Sequence, residues 1–464
     1  MRTSGYNIYV DLKNSEDYDL LVHGYTGAID IVRKKVADSL RNSNLDEISE
    51  ETKTGFAQRG YLTSKSLEEE REVVKLIADK LTNPKVKGAS FLIAVTYNCN
   101  FRCTYCYENL ISESGNAWTK KVFTKEMVDR AYEAMLEVEP DRKNHYPQIT
   151  LYGGEPLMAE NYEIVKYIVD EGVKREYKFY AITNAYDLKH FGDLLGNDKI
   201  TNIQITLDGT KERHDSRRPH YLNKSSFDNI IENIDFALKK EVIIALRINT
   251  DNTNINEIPD LLKIFKEKGF IDNKGFRVYS SLTQHLDNCI GEKHDTTIDN
   301  QMKRMEYLNK YYQLKTEEPD LRVSCQDFGI KAKLIEAIKK DKNIGFKATF
   351  CGAHNGMKLF DPLGDIYTCW EVLHMPEHVV GNFKDKLKYF PETYDKWNSR
   401  NIMNIKSCSE CKYALLCGGG CAGANLLSGN DLCTSNCDSY SRVFSVMAND
   451  VFDNYITKNL QKIK

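Results

Sequence analysis

Cysteine is missing from the first 98 residues of this chain, although the whole chain contains thirteen. Long apolar runs are missing as well: no stretch of about 18 uncharged apolar residues occurs, which argues against a membrane-spanning helix. Neither charge sign dominates, since 64 Lys and Arg face 67 Asp and Glu, so the sequence predicts no general affinity for nucleic acid or for an anionic membrane. The first residues show no basic leader followed by an apolar stretch. We therefore expect a cytoplasmic protein.

The cysteines that are present are unevenly placed. Three lie in the stretch CNFRCTYC, and six of the thirteen lie between residues 408 and 437. Thiols of a cytoplasmic protein are kept reduced and rarely form disulfides, so such clustering favours metal binding.

The apolar pattern predicts four regions. Residues 1–85 contain three short strands followed by helices, and residues 86–280 contain six short apolar strands that alternate with amphipathic helices. Such alternation predicts a parallel sheet in an α/β fold, here a partial (β/α)6 TIM barrel whose strand ends converge on one face. Residues 281–345 are predicted to be a helical connector, and residues 346–464 a cysteine-rich module.

The stretch CNFRCTYC follows the first predicted barrel strand and supplies Cys99, Cys103 and Cys106. Three thiolates can hold three irons of a cubane cluster and leave the fourth iron open for an exchangeable ligand. The alternative is a zinc site that borrows a remote ligand, or a few buried thiols.

The C-x3-C-x-aromatic-C spacing, with Tyr105 as the aromatic residue, resembles the signature of the radical S-adenosylmethionine (SAM) enzymes. YGGEP, ITNAY, TLDG with RHDSRR, and LRIN resemble further motifs of that family, in order and at the ends of successive predicted strands. The resemblance implies a SAM-binding barrel that generates a 5'-deoxyadenosyl radical. It places these residues at or near the cofactor: Tyr105, Gly153, Gly154, Glu155, Thr183, Asn184, Asp208, His214, Asp215, Arg218, Arg247 and Asn249. Two plainer alternatives stay open, a tight turn for the glycines and a helix cap for Asp208.

The cysteine-rich module is similar to the SPASM extension of radical SAM enzymes, which carries two auxiliary [4Fe-4S] clusters. A DPLG turn predicts a hairpin that brings Cys351 and Cys369 together. The resemblance implies an inner cluster on Cys351, Cys369 and Cys421. It implies an outer cluster on Cys408, Cys411, Cys417 and Cys437, so that the chain holds three [4Fe-4S] clusters in all.

Some ligands of this module stay open. Cys433 competes with Cys437, and we favour Cys437 from the length of the gap. The fourth ligand of the inner cluster is Cys325, Cys289 or His354, or the site is open to a substrate thiolate. Structural zinc is the alternative for the whole module.

The N-terminal region looks like the PqqD-like winged-helix domain that binds the leader of a precursor peptide, where the leader adds a strand to an exposed sheet edge. The alternative is that this region binds no peptide and is only a structural lid on the barrel.

Together these resemblances imply a radical SAM oxidoreductase that crosslinks a ribosomally made peptide, with a thioether as the first expectation. Its partners would be a precursor peptide and an external one-electron reductant of the flavodoxin or ferredoxin type. An anaerobic sulfatase-maturing enzyme is the alternative, although Trp370 follows Cys369 where those enzymes commonly have aspartate, with Glu371 next in line. A zinc-stabilised peptide-binding protein is a third reading, and iron analysis separates it, since three clusters predict about twelve irons. The sequence leaves open the substrate, the bond formed, the catalytic base and the oligomeric state.

Overall fold

The computed structural model describes residues 1–82, 88–106, 117–196, 198–283, 302–373 and 375–456. Its strands are β1 (Arg2–Thr3), β2 (Asn7–Asp11), β3 (Tyr18–His23), β4 (Ile29–Arg33), β5 (Leu62–Thr63), β6 (Ser90–Thr96), β7 (Gln148–Gly153), β8 (Lys178–Thr183), β9 (Ile200–Thr206), β10 (Ile243–Thr250), β11 (Phe276–Leu282), β12 (Ser324–Cys325), β13 (Met357–Phe360), β14 (Asp365–Tyr367), β15 (Gly381–Asn382) and β16 (Lys388–Tyr389). Its α-helices are α1 (Lys34–Arg41), α2 (Glu50–Arg59), α3 (Leu67–Thr82), α4 (Lys125–Val138), α5 (Tyr162–Lys174), α6 (Lys211–Arg217), α7 (Phe227–Lys239), α8 (Ile258–Glu267), α9 (Arg304–Glu317), α10 (Ile330–Lys339), α11 (Pro391–Ser399), α12 (Ala414–Cys417), α13 (Ala422–Leu427) and α14 (Tyr440–Val451). None of these described helices has the length and apolar character needed to cross a membrane.

The central sheet contains eleven strands in the order β12-β11-β10-β9-β8-β7-β6-β13-β14-β15-β16. The six predicted strands are β6 to β11, and each pairs in parallel with its neighbour in the chain. The sequence did not indicate two extensions of this parallel region. β12 lies inside the expected helical connector and pairs with β11, and β13 pairs in parallel with β6. The α/β class is therefore correct, while the four domain boundaries stay predictions.

The two faces of the parallel strands differ in polarity. On β9 and β10 the side chains of Ile203, Ile205, Leu246 and Ile248 are fully buried in the hydrophobic core. The residues between them, among which is Arg247, line a cavity on the opposite face. Because side chains alternate along a strand, this pattern buries one face against helices and turns polar groups towards the cavity.

The C-terminal region joins the central sheet through β13. β13 and β14 form the predicted antiparallel hairpin, with Leu359 opposite Tyr367. The turn depends on Asp361, whose Oδ1 accepts hydrogen bonds from the backbone N–H groups of Leu363 (3.0 Å) and Asp365 (2.7 Å). The hairpin thus makes the C-terminal region a continuation of the barrel sheet.

The N-terminal region contains the three predicted strands as the antiparallel sheet β2-β3-β4. The prediction missed α2 and the pairing of β1 with β5. Helix α3 shares a hydrophobic cluster with the C-terminal region, in which Val74 and Ala78 pack with Ile402, Ile405 and Cys408. The region is therefore seated on the cysteine-rich module.

Candidate active site

A cavity of about 690 Å³ lies at the carboxyl ends of the parallel strands. One part of its wall comes from the CNFRCTYC loop and the strand ends, and the other from the C-terminal region. Its cysteines are Cys99, Cys103, Cys106, Cys351, Cys369, Cys417, Cys421 and Cys437. The predicted cofactor residues on its wall are Tyr105, Gly153, Gly154, Glu155, Thr183, Asn184, Arg218, Arg247 and Asn249. The structure therefore brings the two predicted constellations to one space.

Backbone hydrogen bonds hold the CNFRCTYC loop against the segment that follows α6. The N–H of Arg102 donates to the carbonyl of Pro219, and the N–H of Thr104 donates to that of Arg217, each at 2.9 Å. Cys103 is buried, with 7% of its surface exposed, while Cys99 and Cys106 are half-buried. The loop presents three thiols in a fixed backbone frame.

The two glycines of YGGEP are required by close approach to this loop. A Cβ at Gly153 would lie 2.2 Å from the carbonyl oxygen of Thr96, and one at Gly154 would lie 2.2 Å from that of Asn98. Gly153 also has a φ of 126°, which disfavours other residues. The glycines therefore let β7 end directly beside the residues that lead into Cys99.

Glu155 joins the ends of two strands. Its Oε1 accepts hydrogen bonds from the N–H of Leu157 (2.8 Å) and the hydroxyl of Thr183 (2.6 Å), and its Oε2 accepts from the N–H of Asn184 (2.6 Å). Burial raises the pKa of this carboxyl group to about 7, against the effect of these hydrogen bonds. The implied contact of Glu155 with SAM stays a prediction, while its bonds to the TN segment are a structural role that the motif did not indicate.

Tyr105 is the centre of a buried polar network beside the thiols. Its hydroxyl donates to Asp208 Oδ2 (2.5 Å) and accepts from Arg218 Nη1 (2.6 Å) and Asn249 Nδ2 (2.9 Å). Asp208 Oδ1 accepts from the N–H of Asn249 (2.9 Å). The residue that precedes α6 as its cap is Thr210, so the helix-cap alternative for Asp208 is wrong.

Other residues of the RHDSRR stretch lie behind the cavity wall. His214 is fully buried, and its Nε2 lies 3.1 Å from the hydroxyl of Ser226. Asp215 accepts hydrogen bonds from the N–H groups of Ser226 (2.8 Å) and Phe227 (3.0 Å) at the start of α7. These two residues are not part of the cavity wall, so they support the pocket only indirectly.

Cys351, Cys369 and Cys421 are electrostatic neighbours of one another. Burial raises the pKa of Cys369 well above its ordinary value, and Glu371, Cys351 and Cys421 raise it further. Gly423 makes room here, since a Cβ at that position would lie 2.8 Å from the Cβ of Glu371 and 3.2 Å from the Sγ of Cys369. The structure thus adds a carboxylate, Glu371, to the three predicted inner thiols.

The outer thiols form a second group. Burial, followed by the neighbouring Cys417, Cys411 and Cys437, raises the pKa of Cys408 to about 12. Cys437 is also an electrostatic neighbour of Cys411 and Cys417. Cys437 thus neighbours all three of the other outer thiols, which favours it as the fourth member.

The candidates for a fourth inner ligand lie elsewhere. Cys325 is buried beside Tyr307 and Tyr311, and its charged neighbours include Lys331. The imidazole of His354 stacks on Trp397 with 5.4 Å between ring centroids. Neither residue lines the cavity, and Cys289 lies outside the described residues.

The donor sets fit iron–sulfur clusters. Crowded buried thiols raise one another's pKa, and cationic iron stabilises the thiolate form. Beside Cys103, the buried Nε of Arg218 has no hydrogen-bond partner among the described residues, which suits an anionic group in the cavity. Within the described ranges no three His, Cys, Asp or Glu side chains converge closely enough for one single metal ion.

Comparisons with known proteins agree with this geometry. The sequence model of the Radical SAM superfamily matches residues 93–265, from within β6 to within α8. A cysteine-type anaerobic sulfatase-maturating enzyme of Clostridium perfringens is 22% identical over 340 residues, which cover 70% of this chain and 85% of that protein.

Three solved structures, of two proteins, have the same fold. Native anSMEcpe with bound AdoMet gives a TM-score of 0.58 at 19% identity and covers 80% of this chain and 98% of that chain. Streptococcus suis SuiB bound to S-adenosylmethionine gives 0.54 at 14% identity and covers 94% of this chain and 99% of that chain. SuiB bound to its precursor peptide SuiA gives 0.53 at 15% identity, with the same coverage. The chain therefore contains a radical SAM domain over residues 93–265, and this domain together with the fold supports an enzyme of the oxidoreductase type.

Proposed function

We propose that this enzyme installs an oxidative crosslink, a thioether in the first instance, in a ribosomally synthesised peptide. The observation that carries the proposal is the single cavity lined both by the CNFRCTYC thiols and by the inner thiols of the C-terminal region. The second set of thiols offers a place for the electron that an oxidation releases, beside the space where the radical would form.

Cys99, Cys103 and Cys106 would hold the cluster that binds SAM. When both are bound, the cluster and SAM supply a 5'-deoxyadenosyl radical, which removes a hydrogen atom from the substrate. Residues at the strand ends position the loop that would hold this cluster. Gly153 and Gly154 allow the strand ends to close on the loop, and the bonds of Glu155 fix the neighbouring strand end.

The inner and outer thiols suit the remaining part of the oxidation. Joining a cysteine sulfur to a carbon removes two hydrogens from the peptide. One leaves as the abstracted hydrogen atom, so closure of the carbon–sulfur bond still releases one proton and one electron. Cys351, Cys369 and Cys421 on the cavity wall would hold an iron–sulfur cluster that supplies an acceptor for this electron, and the outer set would hold another, which makes three clusters in all. A flavodoxin- or ferredoxin-type protein would supply the electron that starts each turnover.

The peptide partner would be held through its leader on the N-terminal region. Strand β4 is hydrogen-bonded to another strand on one side only within the described residues, and its Ile31 is 42% exposed. The outer edge of β2 is occupied, because Lys412 Nζ donates to the carbonyl of Asn7 (3.0 Å) and Asn449 Nδ2 to that of Asp11 (3.1 Å). β4 has one such contact, at its first residue, where Arg59 Nη2 donates to the carbonyl of Ile29 (3.1 Å), so an extended leader would add along the rest of this strand. The precursor peptide bound by SuiB supports a peptide of this kind.

Formylglycine formation in a sulfatase is the second candidate. It is favoured by the sulfatase-maturating relative and by Glu371, which lines the cavity next to Cys369. Glu371 lies two residues after the cysteine, where the alternative expects aspartate directly after it.

Anaerobic incubation of the reconstituted enzyme with SAM and a reductant separates these candidates. One reaction contains a short precursor peptide encoded beside the gene, a second contains the same peptide without its leader, and a third contains a sulfatase-derived cysteine peptide. We expect 5'-deoxyadenosine and a crosslinked product lighter by two hydrogens from the first reaction, and little product from the second. An aldehyde in the third reaction, with no change in the first, would overturn the crosslinking proposal in favour of formylglycine formation.

A further inference from the structure

Arg400 is a fully buried arginine that no motif indicated. It follows α11 directly, and its side chain reaches the loops that carry the C-terminal cysteines. Its Nε donates to the carbonyl of Leu432 (2.6 Å), and its Nη2 donates to the carbonyls of Gly419 (3.2 Å) and Thr434 (3.1 Å). Its Nη1 is buried and has no hydrogen-bond partner among the described residues. The side chain therefore has one donor group, Nη1, that is not used in these hydrogen bonds.

The charge of Arg400 also requires a partner. A guanidinium stays protonated in proteins, and a buried charge without a counter-charge is costly. The hydrogen-bond acceptors of Arg400 are neutral carbonyls. Burial lowers its pKa, and the neighbours that oppose this effect are four cysteines: Cys351, Cys421, Cys408 and Cys433.

These neighbours belong to both proposed cluster sites. Cys351 and Cys421 are inner thiols, and Cys408 is an outer thiol. Arg400 thus neighbours both groups and is fully buried, whereas the half-buried Lys347 is a second cation near Cys351 and Cys417.

We propose that Arg400 is the counter-charge shared by the two auxiliary cluster sites, with Nη1 donating a hydrogen bond to their sulfur atoms, and that it raises the reduction potentials of both clusters. The inference rests on the proposed function, which places clusters at these cysteines. A nearby positive charge stabilises the more negative, reduced form of a cluster, so it makes the cluster a better electron acceptor. In the proposed reaction this favours removal of the electron released when the carbon–sulfur bond closes.

The alternative is that Arg400 acts only as a clamp on the three backbone carbonyls. Two substitutions separate the roles. Arg400→Gln removes the charge, whereas Arg400→Lys keeps the charge and loses most of the planar fork that reaches the carbonyls. Lys406→Gln is the control, since it removes an exposed lysine two residues before Cys408, where water screens the charge.

The experiment uses the full chain with Cys99, Cys103 and Cys106 all changed to Ala, so that only auxiliary clusters remain. Iron content and a potentiometric titration followed by electron paramagnetic resonance are measured on this parent and on the three variants. We expect about eight irons in the parent, from two clusters of four. We also expect lower midpoint potentials for both clusters in Arg400→Gln, and values close to the parent in Arg400→Lys and Lys406→Gln. Loss of iron in Arg400→Gln with retention in Arg400→Lys would also support the counter-charge.

Two results would overturn the inference. One is parental potentials in Arg400→Gln, and the other is equal loss of iron in both Arg400 variants, which would leave only the clamp. Failure of the proposed function looks different: the precursor peptide would then give no product lighter by two hydrogens, whatever potentials the Arg400 variants show.

Discussion

The two cysteine sites of this enzyme are built in different ways. The CNFRCTYC thiols follow a strand of a regular parallel sheet, and the neighbouring strand ends fix their backbone. The C-terminal thiols lie in a region with short strands and loops, where Gly418, Gly419 and Gly420 have φ between 77° and 89° and Arg400 ties distant carbonyls together. The first site thus depends on periodic structure, and the second on individual long-range contacts. Because different residues support them, each site can be damaged while the other remains.

The largest effect should come from the first site. Cys99→Ala should abolish 5'-deoxyadenosine formation, because loss of one of three thiolates removes the cluster that leaves an iron open for SAM. Iron content should fall by about a third, from about twelve to about eight. Anaerobic assays of 5'-deoxyadenosine and iron measure both. Cys325→Ala is the control, since that thiol lies away from the cavity, and it should keep both values. Retained SAM cleavage in Cys99→Ala would contradict the assignment of the first site.

Damage to the second site should have the opposite pattern. Cys408→Ala or Cys417→Ala should keep part of the 5'-deoxyadenosine formation but prevent crosslinked product, because the surplus electron loses its route. Mass spectrometry of the peptide, read beside the nucleoside assay, tests this. Cys433→Ala should retain iron and product if Cys437 is the outer ligand. The assignment of Cys437 is wrong if Cys433→Ala loses the outer cluster and Cys437→Ala does not.

A pair of alanine substitutions at glycine extends the comparison to the backbone. Gly154→Ala would place a Cβ 2.2 Å from the carbonyl oxygen of Asn98, and Gly420→Ala would place one 1.8 Å from that of Asn436. Each should cost about 3 kcal/mol or more by overpacking. Gly154→Ala should mainly reduce SAM cleavage, since Asn98 precedes Cys99. Gly420→Ala should mainly reduce auxiliary iron, since Asn436 precedes Cys437.

The control for this pair is Gly55→Ala. Gly55 lies inside α2 with no atom within 4 Å of an added Cβ, so the change should stabilise the chain by ~0.5–1 kcal/mol. Thermal unfolding measures the three variants together. If Gly154→Ala and Gly420→Ala reduced SAM cleavage and auxiliary iron content to the same extent, the two sites would not be independently supported.

A smaller effect is expected from Tyr105→Phe. The change removes a hydroxyl that makes three hydrogen bonds in a buried network, each worth about 1 kcal/mol net. SAM cleavage should slow about fivefold, since a bond of about 1 kcal/mol lost in the transition state corresponds to a factor of about five. Iron content should not change. Tyr132→Phe removes one buried hydroxyl from a bond to the carbonyl of Ile168 (2.7 Å), between α4 and α5 and off the cavity wall, and should change the rate less than twofold. A wild-type rate in Tyr105→Phe would leave the network without a role in SAM cleavage.

Features that rest on local or periodic sequence patterns could be predicted, whereas features that rest on single long-range contacts could not. The strands β6 to β11 were predictable because their apolar periodicity is local, and the CNFRCTYC spacing is local as well. The polar cavity face could also have been found, since Tyr180, Gln204 and Thr206 alternate with apolar residues along their strands. Arg400 and the bonds of Glu155 could not be found in this way. Their partners lie between two and 34 residues away along the chain, with no repeating spacing.

The smallest effect on activity is expected at the seam between the two sites, where stability should depend on pH instead. The hydroxyl of Tyr97, at the end of β6, donates to Asp361 Oδ2 (2.7 Å) in the turn of the C-terminal hairpin. Burial raises the pKa of Asp361 from 3.8 to about 7. A raised carboxyl pKa means that the folded chain favours the protonated form. The folded chain therefore loses stability as pH rises from about 4 to about 7 and loses no more above that range. Asp361→Asn cannot ionise, so the stability of the wild type relative to this variant should fall over the same range, by up to about 4 kcal/mol, since each unit of pKa corresponds to about 1.4 kcal/mol. Unfolding of both proteins between pH 4 and 8, without reconstituted iron, gives the difference in their free energies of unfolding. If that difference did not change with pH, Asp361 would ionise as freely in the folded chain as in the unfolded one.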